Sequence, residues 1–194
     1  MDICEIICSC GFSAVGRFDA GSLDSREEVR DMCAADKCAA YNRSWSCPPA
    51  CGDLNHFQAL LRRYKTGHVI QTVVLMEDPF DYEAIEAGMR EHVDRTRVLF
   101  DRLIASGKPA AIWARSEEES PLPEGSEGEF LLLGAGACTI CVSCTYPDAP
   151  CIFPEKVYPS MEAAGLLVSD VCDRAEVPYY HGPGTIAFCS CVLE

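Results

Sequence analysis

Cys138, Cys141 and Cys144 stand in an unbroken C-x2-C-x2-C run, with Cys151 and then Pro154 behind them in CTICVSCTYPDAPCIFP. Three thiols this close together share one loop, so any fold of this chain must deliver that loop with its sulfurs free to converge. Thiolates gathered in this way bind soft metal centres, which makes the segment a candidate metal site.

The run resembles the ferredoxin-type signature, in which three closely spaced thiolates and a remote fourth, followed by proline, hold an iron–sulfur cube. Proline fixes φ and turns the chain away from the last ligand. Six residues part Cys144 from Cys151 here, where the bacterial ferredoxin run has three and then proline at once. The spacing supports a [4Fe–4S] cluster without copying a ferredoxin.

A less regular group occupies DMCAADKCAAYNRSWSCPPACGDL, where Cys33, Cys38, Cys47 and Cys51 follow at spacings x4, x8 and x3. Pro48 and Pro49 hold the chain extended after Cys47. Asp53 can then cap a helix carrying Leu54, Phe57, Leu60, Leu61 and Tyr64 at helical spacing. Cys51 would precede that helix N-terminus, whose free N–H groups and dipole favour thiolate and predict a lowered pKa. Tyr41 and Trp45 are either shields for a centre at this set or plain core aromatics.

Together, VRDMCAADKCAAYNRSWSCPP and, about ninety residues on, GAGACTICVSC and CIFPEKVYPSMEAAG resemble the family of predicted metal-binding proteins called domain of unknown function 2284. The resemblance runs from about Val29 to the C-terminus. It implies metal, iron–sulfur in kind, at Cys33, Cys38 and Cys47 in the first set and at Cys138, Cys141, Cys144 and Cys151 in the second. It supplies no reaction. Cys51 joins the first set on chemical grounds, as the available fourth thiolate.

With 14 cysteines in 194 residues, disulfides are the first rival. They need an oxidising compartment, yet MDICEIICSC has neither the basic n-region nor the apolar stretch of a signal peptide. No apolar run of about 18 residues occurs either, so no membrane association is expected. The reading is a cytoplasmic protein in a low-oxygen cell, an anaerobe, where clustered thiols act as ligands or redox groups. A net charge of −14 argues against a nucleic-acid partner and leaves a redox partner protein as the expected one, or solubility as the plain role of the charge.

Zinc is the rival metal, since two sets of four thiols also satisfy tetrahedral sites. Three cysteines of one C-x2-C-x2-C run crowd a single ion, however, and wrap more readily around the corners of a cube. The sequence therefore favours two [4Fe–4S] clusters that pass electrons to or from a partner enzyme. The alternative is a zinc-binding structural or interaction module. A cluster-based enzyme would need an iron without a protein ligand, and two sets of four argue against that. No Ser–His–Asp or paired-carboxylate pattern stands out, and GAGAC lacks the Lys-Ser/Thr of a phosphate loop. His56 and His181 could each replace a cysteine in a mixed site.

Outside the cysteines, the chain reads as a single compact α/β domain over residues 1–194. Strands are predicted at 68–76, 110–114, 130–135 and 185–193. One helix is predicted from Asp81 to about residue 106, with a Phe80–Ile85 staple across its cap, and another over 161 to about 175 behind a Ser160 cap. The alternation predicts a mostly parallel mixed sheet flanked by helices, with the cysteine-rich loops leaving its strands. Residues 117–129 read as an acidic flexible loop. A strand over 3–10 would put Cys4, Cys8 and Cys10 on one side. Beside the last strand, Cys8, Cys10, Cys189 and Cys191 could then form a third thiol site, against the plainer reading of buried apolar thiols. Cys172 reads as packing.

Overall fold

The structure, a computed structural model, describes residues 2–111 and 130–194. Strands β1 (Ala14–Asp19), β2 (Thr66–Leu75), β3 (Leu131–Leu133) and β4 (Thr185–Leu193) form one sheet in the order β1-β2-β4-β3. All of these pairings are antiparallel, which corrects the expected mostly parallel sheet. A long helix, α4 (Tyr82–Ala105), does return the chain so that β3 runs in the same sense as β2. The C-terminal strand β4 enters between them in the opposite sense. Alternation along the sequence thus sets the direction of β3 but not its neighbour.

Residues alternate between the two faces of the sheet, and each face carries its own core. Val69, Leu131, Leu133, Cys191 and Leu193 pack with α3 (Leu54–Leu61) and α5 (Val168–Arg174). Ile70, Leu132 and Val192 pack with α1 (Ile3–Cys8) and α4 on the other face. Helix α4 starts as expected, with Asp81 Oδ1 accepting from the Ala84 N–H at 3.0 Å, and stops at Gly107, whose φ is +83°. Phe80 stands 73% exposed, so the expected staple to Ile85 does not close.

Residues 3–10 form no strand. Ile3, Ile6 and Ile7 follow helical spacing and are buried against α4, while the Asp2 N–H donates to Glu5 Oε2 at 3.1 Å at the helix start. Cys10 packs on this face, whereas Cys189 and Cys191 lie on the other, so the expected third thiol site is not assembled. Cys172 of α5 meets Cys189 instead, and Gln71 Nε2 donates to the two sulfurs at 3.4 and 3.5 Å.

The helix expected from 161 is a turn first. The Ala163 N–H donates to Ser160 Oγ at 3.1 Å, Gly165 at φ +78° breaks the turn, and α5 begins only at Val168. Ala110 makes one parallel bridge to Phe130. The remainder of the strand expected at 110–114, from 112 onward, and the acidic loop 117–129 lie outside the described residues. Among the described residues, no helix is long and apolar enough to cross a membrane.

Candidate metal centre

Helix α2 (Glu27–Ala34) carries Cys33 in its last turn, and a series of tight turns then brings Cys38, Cys47 and Cys51 to the start of α3. Asp53 caps that helix, its Oδ1 accepting from the His56 N–H at 2.8 Å. Cys33, Cys38 and Cys47 line a hollow of about 230 Å³ whose walls include Tyr41, Pro48 and Glu162. Cys51 lies behind it, fully buried, its N–H donating to the Cys47 carbonyl at 3.0 Å.

Burial pushes the Cys51 thiol up to about 12, against the opposing pull of Arg30. The lowering expected from the helix N-terminus is therefore overturned, because desolvation of a buried thiolate outweighs a dipole that begins two residues further on. Burial raises Cys33 and Cys47 as well, with Glu162 adding to the rise at Cys33 and the Ser46 hydroxyl opposing it at Cys47. Such thiols keep their protons until a cation displaces them, so metal binding here releases protons.

Arg30 stands one turn before Cys33 on α2. Its Nη1 donates to the Gly52 carbonyl at 3.0 Å, and its guanidinium carbon lies 5.6 Å from the centre of the Phe57 ring. Its Nε and Nη2 are buried and meet no acceptor. Buried donors without acceptors beside a set of thiols fit an anionic sulfur centre, which would accept from them.

The second set sits on the loop that leaves β3. Cys138, Cys141, Cys144 and Cys151 all line one hollow of about 200 Å³, together with Trp45 and Phe153. Burial raises the Cys138 thiol. Cys144 is exposed, as are Val142 and Ile152 around it. Gly136, at φ +70°, turns the chain between the two hollows, and Ala137 lines both.

Ser46 ties the sets together. Its Oγ accepts from the Cys138 N–H at 3.0 Å and lies 3.7 Å from Cys47 Sγ. Trp45 Nε1 donates to the Ala149 carbonyl at 3.1 Å, its ring meets Tyr146 edge-on at 4.8 Å, and the Tyr146 hydroxyl donates to Asn42 Oδ1 at 2.7 Å. Tyr41 thus walls the first hollow and Trp45 the second, although both were expected at the first set. His56 and His181 line neither hollow; His181 Nε2 is 2.9 Å from Gln71 Oε1. Among the described residues, no group of three His, Cys, Asp or Glu side chains is gathered tightly enough for a single metal ion.

Sequence reasoning missed Ser46, Arg30 and Glu162. For Arg30 a signal existed, since three positions before Cys33 on a helix means the same face. Glu162 reaches the first hollow from a segment more than a hundred residues away and carries no local signal.

Among curated proteins, none matches this chain. A crystal structure of epoxyqueuosine reductase with a tRNA-Tyr epoxyqueuosine-modified tRNA stem loop aligns with a TM-score of 0.37 at 12% identity, over 98% of this chain and 44% of that one. The chain therefore spans less than half the length of that structure. The family model for predicted metal-binding protein, DUF2284, matches residues 17–193, which takes in both cysteine sets and leaves out Cys4, Cys8 and Cys10. The chain belongs to this family, the predicted metal-binding proteins of DUF2284.

Proposed function

We propose that the protein is an iron–sulfur electron carrier. Cys33, Cys38, Cys47 and Cys51 hold one [4Fe–4S] cluster in this reading, and Cys138, Cys141, Cys144 and Cys151 hold a second. The observation that carries it is the pair of thiol-lined hollows, about 230 and 200 Å³, that meet at Ala137 and are bridged by Ser46. A lone tetrahedral ion draws its sulfurs to about 2.3 Å and needs no such hollow, whereas a cube occupies one.

Clusters of this kind supply one-electron oxidation and reduction when bound. The chain's own residues set the conditions. Tyr41 and Pro48 wall the first set, Ser46 offers its hydroxyl to Cys47, and the Cys138 N–H is held in place by the same hydroxyl. The exposed rim at Cys144, with Val142 and Ile152, offers a small apolar contact for a redox partner protein, and the net charge of −14 suits a basic one. A reducing, low-oxygen cytoplasm belongs to the same reading.

Anaerobic purification followed by iron, sulfide and zinc analysis and visible spectroscopy tests the proposal. About eight irons per chain and a broad visible band that bleaches with dithionite are expected for two four-iron clusters. A colourless protein with about two zinc ions would overturn it in favour of a structural module whose thiolate–metal bonds supply folding energy.

A further inference from the structure

We infer that Arg30 is the positioning residue of the first metal centre, its Nε and Nη2 donating to sulfur and raising that centre's reduction potential. The inference rests on the iron–sulfur reading above. A guanidinium presents five N–H donors in a rigid plane and has no acceptor. Two contacts hold that group here: Nη1 donates to the carbonyl of Gly52, the residue after Cys51, and the guanidinium carbon lies over the Phe57 ring. The remaining edge, Nε and Nη2, is buried and meets no acceptor.

Native structures rarely leave buried charged donors unpaired, and this chain has anions to spare, with 30 Asp and Glu. Arg26, Arg43 and Arg95 pair with Asp170, Asp36 and Glu91. Arg30 meets no carboxylate among the described residues, and the anionic groups that feel its charge are Cys33 and Cys51, whose thiolates it favours. A sulfur-ligated iron centre becomes more negative on reduction, so a cation donating N–H bonds to its sulfur favours the reduced form. Around the second set Arg43 is matched by Asp36 and Arg97 by Asp94, and Lys156 lies over the Phe153 ring, while at the first hollow the Glu162 carboxylate opposes Arg30. Removing the Arg30 charge and donors therefore lowers the potential of the first centre and leaves the second unmoved.

The test compares full-length wild type, Arg30→Lys and Arg30→Met, each purified anaerobically, by iron and sulfide content and by optical redox titration. Wild type is expected to titrate in two waves. In Arg30→Met one wave moves down far enough to change the reduced-to-oxidised ratio at least tenfold, about 59 mV for one electron, while the other stays. Arg30→Lys falls between. Wild-type iron in the variants with both waves unmoved overturns the inference and leaves the iron–sulfur reading standing. Wild type without iron and sulfide overturns that reading and the inference together. If Arg30→Met loses its metal, Arg30→Lys, which keeps stem and charge, carries the same criterion. Loss from both with the thermal unfolding of the metal-free chain unchanged supports Arg30 as a contact to the centre. A lowered unfolding temperature would make it a packing residue and overturn the inference.

Discussion

The first cysteine set runs from the exposed Cys38 down to the buried Cys47 and Cys51, whereas no cysteine of the second set is fully buried. Cys47 and Cys51 are 8% and 0% exposed and Cys51 packs in the sheet's core, whereas Cys144 is exposed and Val142 nearby stands wholly in solvent. The same side chain meets opposite problems in the two places. In the interior, desolvation favours the neutral thiol, and Arg30 supplies a compensating charge. At the rim, water solvates Cys144, and access rather than charge compensation becomes its defining property. The innermost thiols of one set are thus closed off from solvent, and the rim of the other is open to it.

The largest expected effect comes from Cys51→Ser. Bound iron falls by about half, as expected when one of two clusters loses a ligand. Because Cys51 also belongs to the core, the metal-free chain loses about 2 kcal/mol from the buried hydroxyl. Cys144→Ser is expected to lower iron equally while leaving the stability of the metal-free chain unchanged. Metal analysis and denaturant unfolding read both quantities. Unchanged iron in Cys51→Ser would remove it from the ligand set and dissolve the contrast.

Metal release sharpens the comparison kinetically. A chelator should strip the protein in two phases, the faster from the rim, and the faster phase should vanish in Cys144→Ser. A single phase in wild type would mean that burial does not separate the two sets.

Acid acts through the ground beneath the second loop. His92 of α4 is buried between Thr72 Oγ1 at 3.0 Å and Ser190 Oγ at 2.8 Å, and with Tyr158 and Cys138 it lines a cleft of about 20 Å³. Burial, helped by Arg95, lowers its pKa from 6.5 to about 4. The unfolded chain therefore binds a proton that the folded chain refuses. Stability is complete above the unfolded pKa and is lost as pH falls toward 4, by up to about 3 kcal/mol. Denaturant unfolding of the metal-free chain at neutral and acid pH checks this, and His92→Gln should flatten the slope. An equal slope in both would assign it to other groups.

What the sequence made legible was local. The ends of α4 rest on Asp81 and Gly107, β4 on a stretch that includes Thr185, Ile186, Phe188 and Val192, and the placing of Cys138, Cys141 and Cys144 along one hollow on their sharing one short loop. What it hid was decided by partners far along the chain. Nothing in 185–193 announces insertion between β2 and β3, and nothing near Cys51 announces that burial would outweigh the helix dipole. Helix α1 is a different case. Ile3, Ile6 and Ile7 carry a helical period, but the parity of Cys4, Cys8 and Cys10 suggested a strand. Apolar spacing prevailed because the isoleucines, not the thiols, are what α4 buries.

The smallest effect belongs to Trp45→Phe, which separates the sets most finely. The indole N–H donates to Thr145 Oγ1 at 3.3 Å and to the Ala149 carbonyl at 3.1 Å, both in the segment joining Cys144 to Cys151. Phenylalanine keeps the edge-on contact with Tyr146 and loses only the donor, a net change of about 1 kcal/mol. Both sets should keep their metal. If the clasp governs access, chelator release from the second set quickens about fivefold, the factor that such an energy allows. The slow phase stays, because Tyr41 and not Trp45 walls the first hollow. Acceleration of the slow phase instead would make Trp45 a shield of the buried set, and the division of the two aromatics between the two hollows would be wrong.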